Sequence, residues 1–433
     1  MIFNNITGNR MKKAFWVIII ASFFTWLIGL CVDPTGSQKD LFFIQMQNFW
    51  GDATNVTGMV IDFNPYFGKA KGSYPPLAYL LFCPLAAVST EPKVLYSVSD
   101  LGTQYYYLYY LQPLWTMLFV IFLISILVLF FTVYVKQLRI KGYSFFDAIM
   151  TVFAICLSYP MLYIIERGNI LLVAVLAVSI FIFYYDSNCT WKKEIALISL
   201  AIAAGIKISP AIFGILLICK KDWNAVFRTI CYGLLFFIIP FFFFSGGIDN
   251  VQQMFLNIKY FLKVYAGDIS YIGTGFITTY VKFAKILFAD NYYSKIVEFS
   301  QLIIAIINIL TSLISVTLFL GVFHFKEQWK KVMNITLVLL ILPQVSHLYC
   351  VLYLAPFTLM FLVSLYNSDK ISIDKTLVFI ALLMIYFVYR CPISNFFNLN
   401  VAIPMLTIIG LFYSLQEFMK SKHILPVDLF KHL

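Results

Sequence analysis

Charged residues are scarce in this sequence of 433 residues. Asp, Glu, Lys and Arg together make up 12% of the chain, hydrophobic residues make up 61%, and the mean hydropathy is +0.87. A soluble globular domain carries about 25% charged residues. A chain with so few charges cannot cover its apolar surface in water, so we infer that it folds in a lipid bilayer.

Compact ligand-binding motifs are also missing. The eight cysteines show no Cys-x-x-Cys motif and no Cys/His spacing. Most of them lie in apolar runs, where cysteine acts as a small hydrophobic residue, so we expect neither a disulfide framework nor a structural metal. The sequence also lacks a Gly-rich phosphate loop and an Asp-x-Asp motif. We therefore expect no metal, no cofactor and no nucleotide-sugar domain.

Apolar runs long enough to cross a bilayer, which takes about 20 residues, recur from Ala14 to Gln416. The first run, Ala14–Val32, is followed by Asp33-Pro34 and not by a cleavage site of small residues, which predicts a retained helix. The runs predict an all-α polytopic membrane protein with about 12 transmembrane helices. They form one predicted transmembrane domain over residues 1–433. The later predicted helices are Pro113–Val135, Phe145–Ile165, Ile170–Tyr185, two short helices within Ile195–Cys219, Ala225–Phe244, Ile296–Phe323, Val332–Val345, Tyr349–Tyr366, Thr376–Tyr389 and Leu399–Leu415.

Lysine and arginine orient these helices. Clusters such as Lys136, Arg139 and Lys141 recur at alternate ends of the apolar runs. Because cytoplasmic loops of membrane proteins carry an excess of Lys and Arg, this pattern predicts that both chain ends are cytoplasmic. It also explains the formal net charge of +11 without a nucleic-acid partner.

Two long segments fall on the predicted outer side, residues 33–111 and 246–295. The first begins with Asp40, followed by Phe42, Phe43, Met46, Phe49 and Trp50, which share one face at helical spacing. This pattern predicts an interfacial amphipathic helix that holds Asp40 above the membrane. An alternative is that Asp40 only caps the helix. Further on, Leu77–Val88 is too short for a span, which indicates a re-entrant or interfacial helix.

Three basic residues, Arg167, Lys207 and His347, lie near predicted outer helix ends. Lys207 opens the sequence Lys207-Ile208-Ser209-Pro210, which interrupts Ile195–Cys219, and a lysine between two apolar helices needs a partner or water. A carboxylate can act as general base toward an acceptor hydroxyl, and cations can hold a phosphate as it leaves. The structural alternatives are that Lys207 snorkels to the interface, that Arg167 pairs with Glu166 and that His347 only supports a helix end.

An ordered set of motifs resembles the GT-C glycosyltransferases. It is most similar to the branch that contains the polyprenol-phosphate-mannose-dependent mannosyltransferases of phosphatidylinositol mannoside synthesis. The resemblance spans roughly Asp33 to Tyr366. The motifs, in order, are Asp40, Asn64-Pro65-Tyr66, Tyr74-Pro75-Pro76-Leu77, Gly168-Asn169-Ile170, Ala203-Ala204-Gly205-Ile206-Lys207-Ile208-Ser209-Pro210 and Val345-Ser346-His347-Leu348-Tyr349.

The resemblance implies an inverting transfer of a mannose-like hexose from a polyprenyl-phosphate donor to a lipid-linked or cell-envelope glycan. The reaction would take place on the outer face of what we expect to be a bacterial inner membrane. Asp40 would be the general base, and Lys207 and His347 would lie near the donor phosphate, to which we add Arg167. The expected donor and acceptor pocket residues are Asn64, Tyr66, Tyr74, Asn169 and Tyr349. The expected partners are these two substrates and membrane lipids.

Other functions remain open from the sequence. A transporter or lipid-linked-oligosaccharide flippase would place ionisable groups along a path at mid-membrane, whereas here they gather on one side. An O-antigen-type polymerase often has an Arg-rich outer loop, and residues 246–295 contain Lys but no Arg. Nothing in the sequence argues against a non-catalytic membrane scaffold.

Overall fold

The computed structural model describes most of the chain and is predominantly helical. The described residues are 8–33, 49–68, 71–92, 94–99, 102–266, 293–343, 347–366, 371–389 and 394–421. In chain order, the elements are α1 (Gly8–Val32), α2 (Gly51–Val60), α3 (Pro76–Leu80), α4 (Cys83–Ala87), β1 (Val94–Ser99), β2 (Gly102–Tyr107), α5 (Pro113–Ile140), α6 (Phe145–Cys156), α7 (Tyr159–Arg167), α8 (Leu171–Tyr184), α9 (Thr190–Ile206), α10 (Ile215–Cys219), α11 (Trp223–Ile238), α12 (Asp249–Ala266), α13 (Tyr293–Gly321), α14 (Gln328–Ile341), α15 (Ala355–Tyr366), α16 (Ile373–Tyr386) and α17 (Ser394–Ser421). Short 3-10 helices cover Tyr109–Leu111, Ser209–Gly214, Ile239–Phe243 and Leu348–Leu354.

Five helices among the described residues are long and apolar enough to cross a membrane. A sixth span results if α6 and α7, which meet at a bend of 53°, are counted as one. The expectation of a polytopic helical membrane protein is therefore confirmed, and the total of about 12 spans remains a prediction. The five segments are Arg10–Val32, Pro113–Ile140, Trp223–Phe243, Leu348–Tyr366 and Leu399–Ser421.

The chain divides into two compact units. Unit 1 comprises Met1–Cys31, Leu138–Pro160 and Asp268–Leu433, and unit 2 comprises Val32–Gln137 and Met161–Gly267. The predicted single transmembrane domain remains a prediction.

In unit 1, a buried lysine joins α1 to α6 and α15. Lys12 Nζ donates a hydrogen bond to Asp147 Oδ2 at 2.9 Å. The same ammonium lies over the rings of Tyr143 and Tyr366, at 4.5 and 4.7 Å from their centroids. A buried charge is costly unless it is paired, and here a carboxylate and two aromatic faces replace water.

In unit 2, α9 packs against both α8 and α11. Small buried residues such as Ala196, Ser199 and Ala203 on α9 let the neighbouring helices approach closely. At the other end of α9, Gly205 lies so close to Leu77 of α3 that an added Cβ would be 3.0 Å from Leu77 Cδ2. Helix α9 thus reaches α3, which begins in the Tyr74-Pro75-Pro76-Leu77 motif.

The starts of α9 and α11 are joined by a set of ion pairs that we call the charged cluster. Its pairs are Lys193–Asp222, Arg228–Glu194 and Lys220–Asp186. Asp222 also caps α11, because its Oδ1 accepts a hydrogen bond from the backbone N–H of Ala225 at 3.1 Å. The hydrogen bond from Lys193, together with that N–H, holds the pKa of the Asp222 carboxyl below its ordinary value.

The structure confirms several local predictions and corrects others. Helix α9 ends at Ile206 and Lys207 is extended, so the predicted interruption of Ile195–Cys219 is confirmed. The Leu77–Val88 stretch is helical as α3 and α4, while its interfacial or re-entrant placement remains a prediction.

The all-α prediction missed an antiparallel hairpin within residues 33–111, in which β1 pairs with β2 from Val94–Tyr107 to Ser99–Gly102. In the segment 246–295, for which no helix was predicted, the structure has α12.

Candidate functional site

A carboxylate that the sequence analysis did not single out, Asp52, lies in the first turn of α2. Its Oδ1 accepts a hydrogen bond from Arg167 Nη2 at 2.5 Å, and its Oδ2 accepts one from Asn169 Nδ2 at 2.7 Å. The Asp52 and Arg167 side chains are 19% and 24% exposed, so the pair is only partly solvated. Asp52 therefore ties α2 to the turn between α7 and α8.

The sequence Glu166-Arg167-Gly168-Asn169 forms that turn. Gly168 has φ of +61°, and an added Cβ would lie 3.0 Å from both Ala53 Cβ and Phe119 Cζ. Glycine is required there because other residues disfavour positive φ and because space is lacking. Asn169 Oδ1 accepts the backbone N–H of Leu171 at 2.8 Å, which leaves its Nδ2 to donate to Asp52.

Aromatic residues pack beside this ion pair. The Trp50 ring stacks on Phe49 with centroids 4.5 Å apart and meets Phe119 edge to face at 4.9 Å. The Trp50 backbone N–H donates to Glu166 O at 2.8 Å. The start of α2 is therefore fixed to the α7–α8 turn by backbone, charge and ring contacts together.

A second polar region is the loop Asn64–Tyr74, described except for residues 69–70. The Tyr66 hydroxyl donates to Tyr74 O at 3.0 Å, and the backbone N–H of Tyr74 donates to the Tyr79 hydroxyl at 3.1 Å. Burial raises the pKa of the Tyr66 hydroxyl, so it remains a donor. Asn64 Oδ1 accepts the N–H of Phe67 at 3.3 Å. Three predicted pocket residues thus share one hydrogen-bonded loop.

Lys207 lies where an apolar helix is broken. It is half-buried and extended, with φ −148° and ψ 128°, and its backbone N–H donates to Ala203 O at 3.0 Å. A 3-10 turn that contains the buried Pro210 follows. Because Gly205 packs against Leu77, the break at Lys207 lies next to the helix that follows the Asn64–Tyr74 loop.

His347 and Tyr349 belong to unit 1. Their rings stack with centroids 4.8 Å apart and an interplanar angle of 14°. His347 precedes the 3-10 helix Leu348–Leu354, and its carbonyl accepts the N–H of Cys350 at 2.9 Å. Tyr349 is buried. Their predicted contact with the donor remains a prediction.

Five of the predicted residues in unit 2 fall into two groups along α2, and Lys207 follows the end of α9. Arg167 and Asn169 meet Asp52 at the start of this helix, and Asn64, Tyr66 and Tyr74 follow its end. Ten helical residues span about 15 Å, so one short helix separates the groups. The predicted base, Asp40, lies outside the described residues. Within the described part of the chain, no group of three His, Cys, Asp or Glu side chains could hold a metal ion.

Asp52 was not predicted as a site residue, although the sequence contains a signal for its position at a helix start. An acidic residue in the first turn of a helix interacts favourably with the helix dipole, and Gly51-Asp52 opens α2 in that way. The partners of this carboxylate are 115 and 117 positions away, which sequence spacing alone does not reveal.

Of the comparisons with known proteins, one gives a match, which is to a family model. No curated protein and no solved structure matches the chain. The family model for Glycosyltransferase family 87 matches residues 73–343, which is more than half of the sequence. The matched region contains Tyr74, Arg167, Asn169 and Lys207. The chain therefore belongs to glycosyltransferase family 87.

Proposed function

We propose that this glycosyltransferase moves a hexose, mannose-like by resemblance, from a polyprenyl-phosphate donor to a lipid-linked or cell-envelope glycan. In this proposal the reaction proceeds with inversion on the outer face of a bacterial inner membrane, and both chain ends are cytoplasmic. The observation that carries it is the half-buried Lys207 at the break of the apolar helix α9, which packs against α3, the helix that follows the polar Asn64–Tyr74 loop.

Lys207 supports a lipid-linked donor because of its surroundings. A lysine at the end of an apolar helix is retained at a free-energy cost, so such residues tend to serve substrates or ions. A phosphate joined to a polyprenyl chain offers the opposite charge at the level of the bilayer surface. The ammonium would stabilise the negative charge that grows on this phosphate as it leaves.

The proposed reaction is a single displacement. The acceptor hydroxyl oxygen attacks the anomeric carbon and forms the new glycosidic bond. The bond from that carbon to the phosphate oxygen breaks, and polyprenyl phosphate leaves with the electron pair. Asp40 takes the hydroxyl proton in this scheme. Asp52 is less suited to act as the base, because both of its oxygens already accept hydrogen bonds from Arg167 and Asn169.

The test uses purified full-length protein in detergent, with polyprenyl-phosphate-linked hexoses, mannose first, and a membrane-lipid extract as acceptor. Release of polyprenyl phosphate and transfer of labelled sugar are measured together. We expect Asp40→Asn to lower the rate by about 100-fold to 10,000-fold, because a general base is lost. Lys207→Met should lower it by about 100-fold, and Lys207→Arg, which keeps the charge, should retain more activity.

Two results would contradict the proposal. A fully active Asp40→Asn variant would exclude Asp40 as the base. Transfer from nucleotide sugars, with none from any polyprenyl-phosphate donor, would exclude the donor class.

A further inference from the structure

Helix α12, in the second outer segment, buries two asparagines beside Met254 and exposes several large apolar residues. Asn250 and Asn257 are buried, with Asn257 only 2% exposed, whereas Phe255 and Leu256 on the same helix are more than half exposed. An amide is costly to bury unless its hydrogen bonds are made. The inward asparagines therefore need an explanation other than apolar packing.

The Asn257 amide meets the Asn64–Tyr74 loop. Its Nδ2 donates to Tyr66 O and to Gly72 O, both at 2.9 Å, and its Oδ1 accepts from Gln253 Nε2 at 3.0 Å. Both amide hydrogens are thus used on two loop carbonyls six residues apart. A single side chain fixes the separation of the two sides of the loop.

Other contacts join the same two segments. Ser245, just before α12, donates its backbone N–H and its hydroxyl to Phe63 O, each at 2.9 Å. Lys71 Nζ lies 4.0 Å from the centroid of the Tyr260 ring. The loop is also closed internally, because Gly72 N donates to Pro65 O at 3.0 Å. We call this set of contacts the neutral clasp, since its direct hydrogen bonds are between uncharged groups.

We propose that Asn257 is a positioning residue for sugar transfer, which holds the Asn64–Tyr74 loop in the geometry that binds the lipid-linked donor. This inference rests on the proposed function. It assigns a role in the reaction to the second outer segment, which the sequence motifs do not cover. The Asn257 amide itself is fully engaged with the protein, so it acts through the loop and not on the substrate.

The chain offers a matched control for this role. Asn250 is the same residue type, is buried on the same helix seven residues earlier and lies on the same face. Its Nδ2 donates to Ser245 O at 3.0 Å and not to the Asn64–Tyr74 loop. Loss of either asparagine removes a hydrogen bond made by a buried side chain, but only loss of Asn257 releases Tyr66 O and Gly72 O.

The experiment compares wild type, Asn257→Leu, Asn257→Asp and Asn250→Leu as full-length proteins in detergent. Donor KM and kcat are measured with polyprenyl-phosphate mannose, and hydrogen exchange is measured at the amides of Gly72 and Tyr74.

We expect the Asn257 variants to raise the donor KM by about tenfold or more and to speed exchange at both amides. Asn250→Leu should lower the melting temperature and leave the donor KM near the wild-type value. A merely structural role lowers the amount of active enzyme without changing KM.

The outcomes separate the two proposals. If wild type is active and the Asn257 variants keep its KM, or if Asn250→Leu shifts KM equally, the positioning role is wrong while the proposed function stands. If wild type releases no polyprenyl phosphate from any such donor, the proposed function is wrong and the inference falls with it. Faster exchange with an unchanged KM would show that the loop does not bind the donor.

Discussion

The two ends of α9 are held by different chemistry. At its start, the charged cluster joins side chains of opposite charge that are partly exposed, such as Lys220 and Asp186 at 48% and 57%. At its end, about 25 Å away for 17 residues, the helix reaches α3, which follows the loop held by the neutral clasp. The two hydrogen bonds that Asn257 donates in the clasp are buried.

This difference predicts which region tolerates change. An exposed ion pair contributes about 0–1 kcal/mol, because water and salt replace the lost partner. A buried donor or acceptor left without a partner costs about 1–3 kcal/mol, because no water reaches it. Substitutions in the neutral clasp should therefore be damaging, and those in the charged cluster should be mild.

The largest effect is expected from Gly72→Ala. An added Cβ would lie 2.5 Å from Pro65 O and would also overlap the Tyr79 hydroxyl, so the loop cannot keep its hydrogen bonds. We expect a loss of about 3 kcal/mol or more in stability, as for other strained core changes, with little active protein. Thermal unfolding in detergent and sugar transfer measure this. Gly233→Ala is the control, since its added Cβ meets nothing within 4 Å; equal behaviour of the two variants would contradict the prediction.

A smaller effect is expected from Asp52→Ala, because the exposure of the Asp52–Arg167 pair is intermediate between that of the neutral clasp and that of the charged cluster. Arg167 and Asn169 lose the carboxylate that they contact. The Arg167 side chain is close enough to solvent for partial rehydration, whereas Asn169 is buried. We expect destabilisation by about 1–3 kcal/mol. The double variant Asp52→Ala with Arg167→Met should regain part of this, because no uncompensated charge remains. A double variant less stable than the sum of the single changes would contradict the ion-pair interpretation.

The smallest effect is expected in the charged cluster, at Asp222. Asp222→Ala removes a helix cap and should cost about 1 kcal/mol. Asp222→Ser keeps a capping oxygen and should cost less, and Lys220→Ala should cost at most about 0.5 kcal/mol. Unfolding temperatures in detergent rank the three. If Lys220→Ala lowered the unfolding temperature most, the prediction that exposed ion pairs contribute little stability would be contradicted.

The same carboxylate predicts a pH dependence. Because its folded-state pKa is lowered, Asp222 contributes stability at pH values above the ordinary carboxyl pKa of about 4. That contribution is lost as the pH falls through the folded-state pKa. Wild type should therefore lose its stability advantage over Asp222→Ser below about pH 4, which melting curves at a series of pH values can measure.

The long apolar elements were predictable from the sequence. Hydropathy and basic clusters located Pro113–Val135 and Ala225–Phe244 to within a few residues, because bilayer solvation imposes a strong and local pattern. The interruption at Lys207 was also predictable, since Pro210 and a charge within an apolar run disfavour a continuous helix. Membership of a glycosyltransferase family agrees with the ordered motifs.

The polar contacts were not predictable in the same way. Asn257 binds carbonyls 191 and 185 positions away, and backbone carbonyls carry no sequence signal. Helix α12 was missed because its buried face carries Asn250 and Asn257 beside Met254, which weakens the apolar stripe that identifies an amphipathic helix. The hairpin is rich in Val and Tyr, residues that favour strands, but it lies in a segment for which only helices were predicted.

The length of α5 has a consequence for how the enzyme meets its surroundings. Its 28 residues rise about 42 Å, against a hydrocarbon thickness of about 30 Å. A helix this long tilts, thickens the bilayer around it or extends beyond it. Its last turn is anchored, since Arg139 Nη1 donates to Tyr143 O at 2.9 Å. The acyl-chain length of the host membrane, which sets the hydrocarbon thickness, is therefore a physical variable for this enzyme, as temperature and salt concentration are.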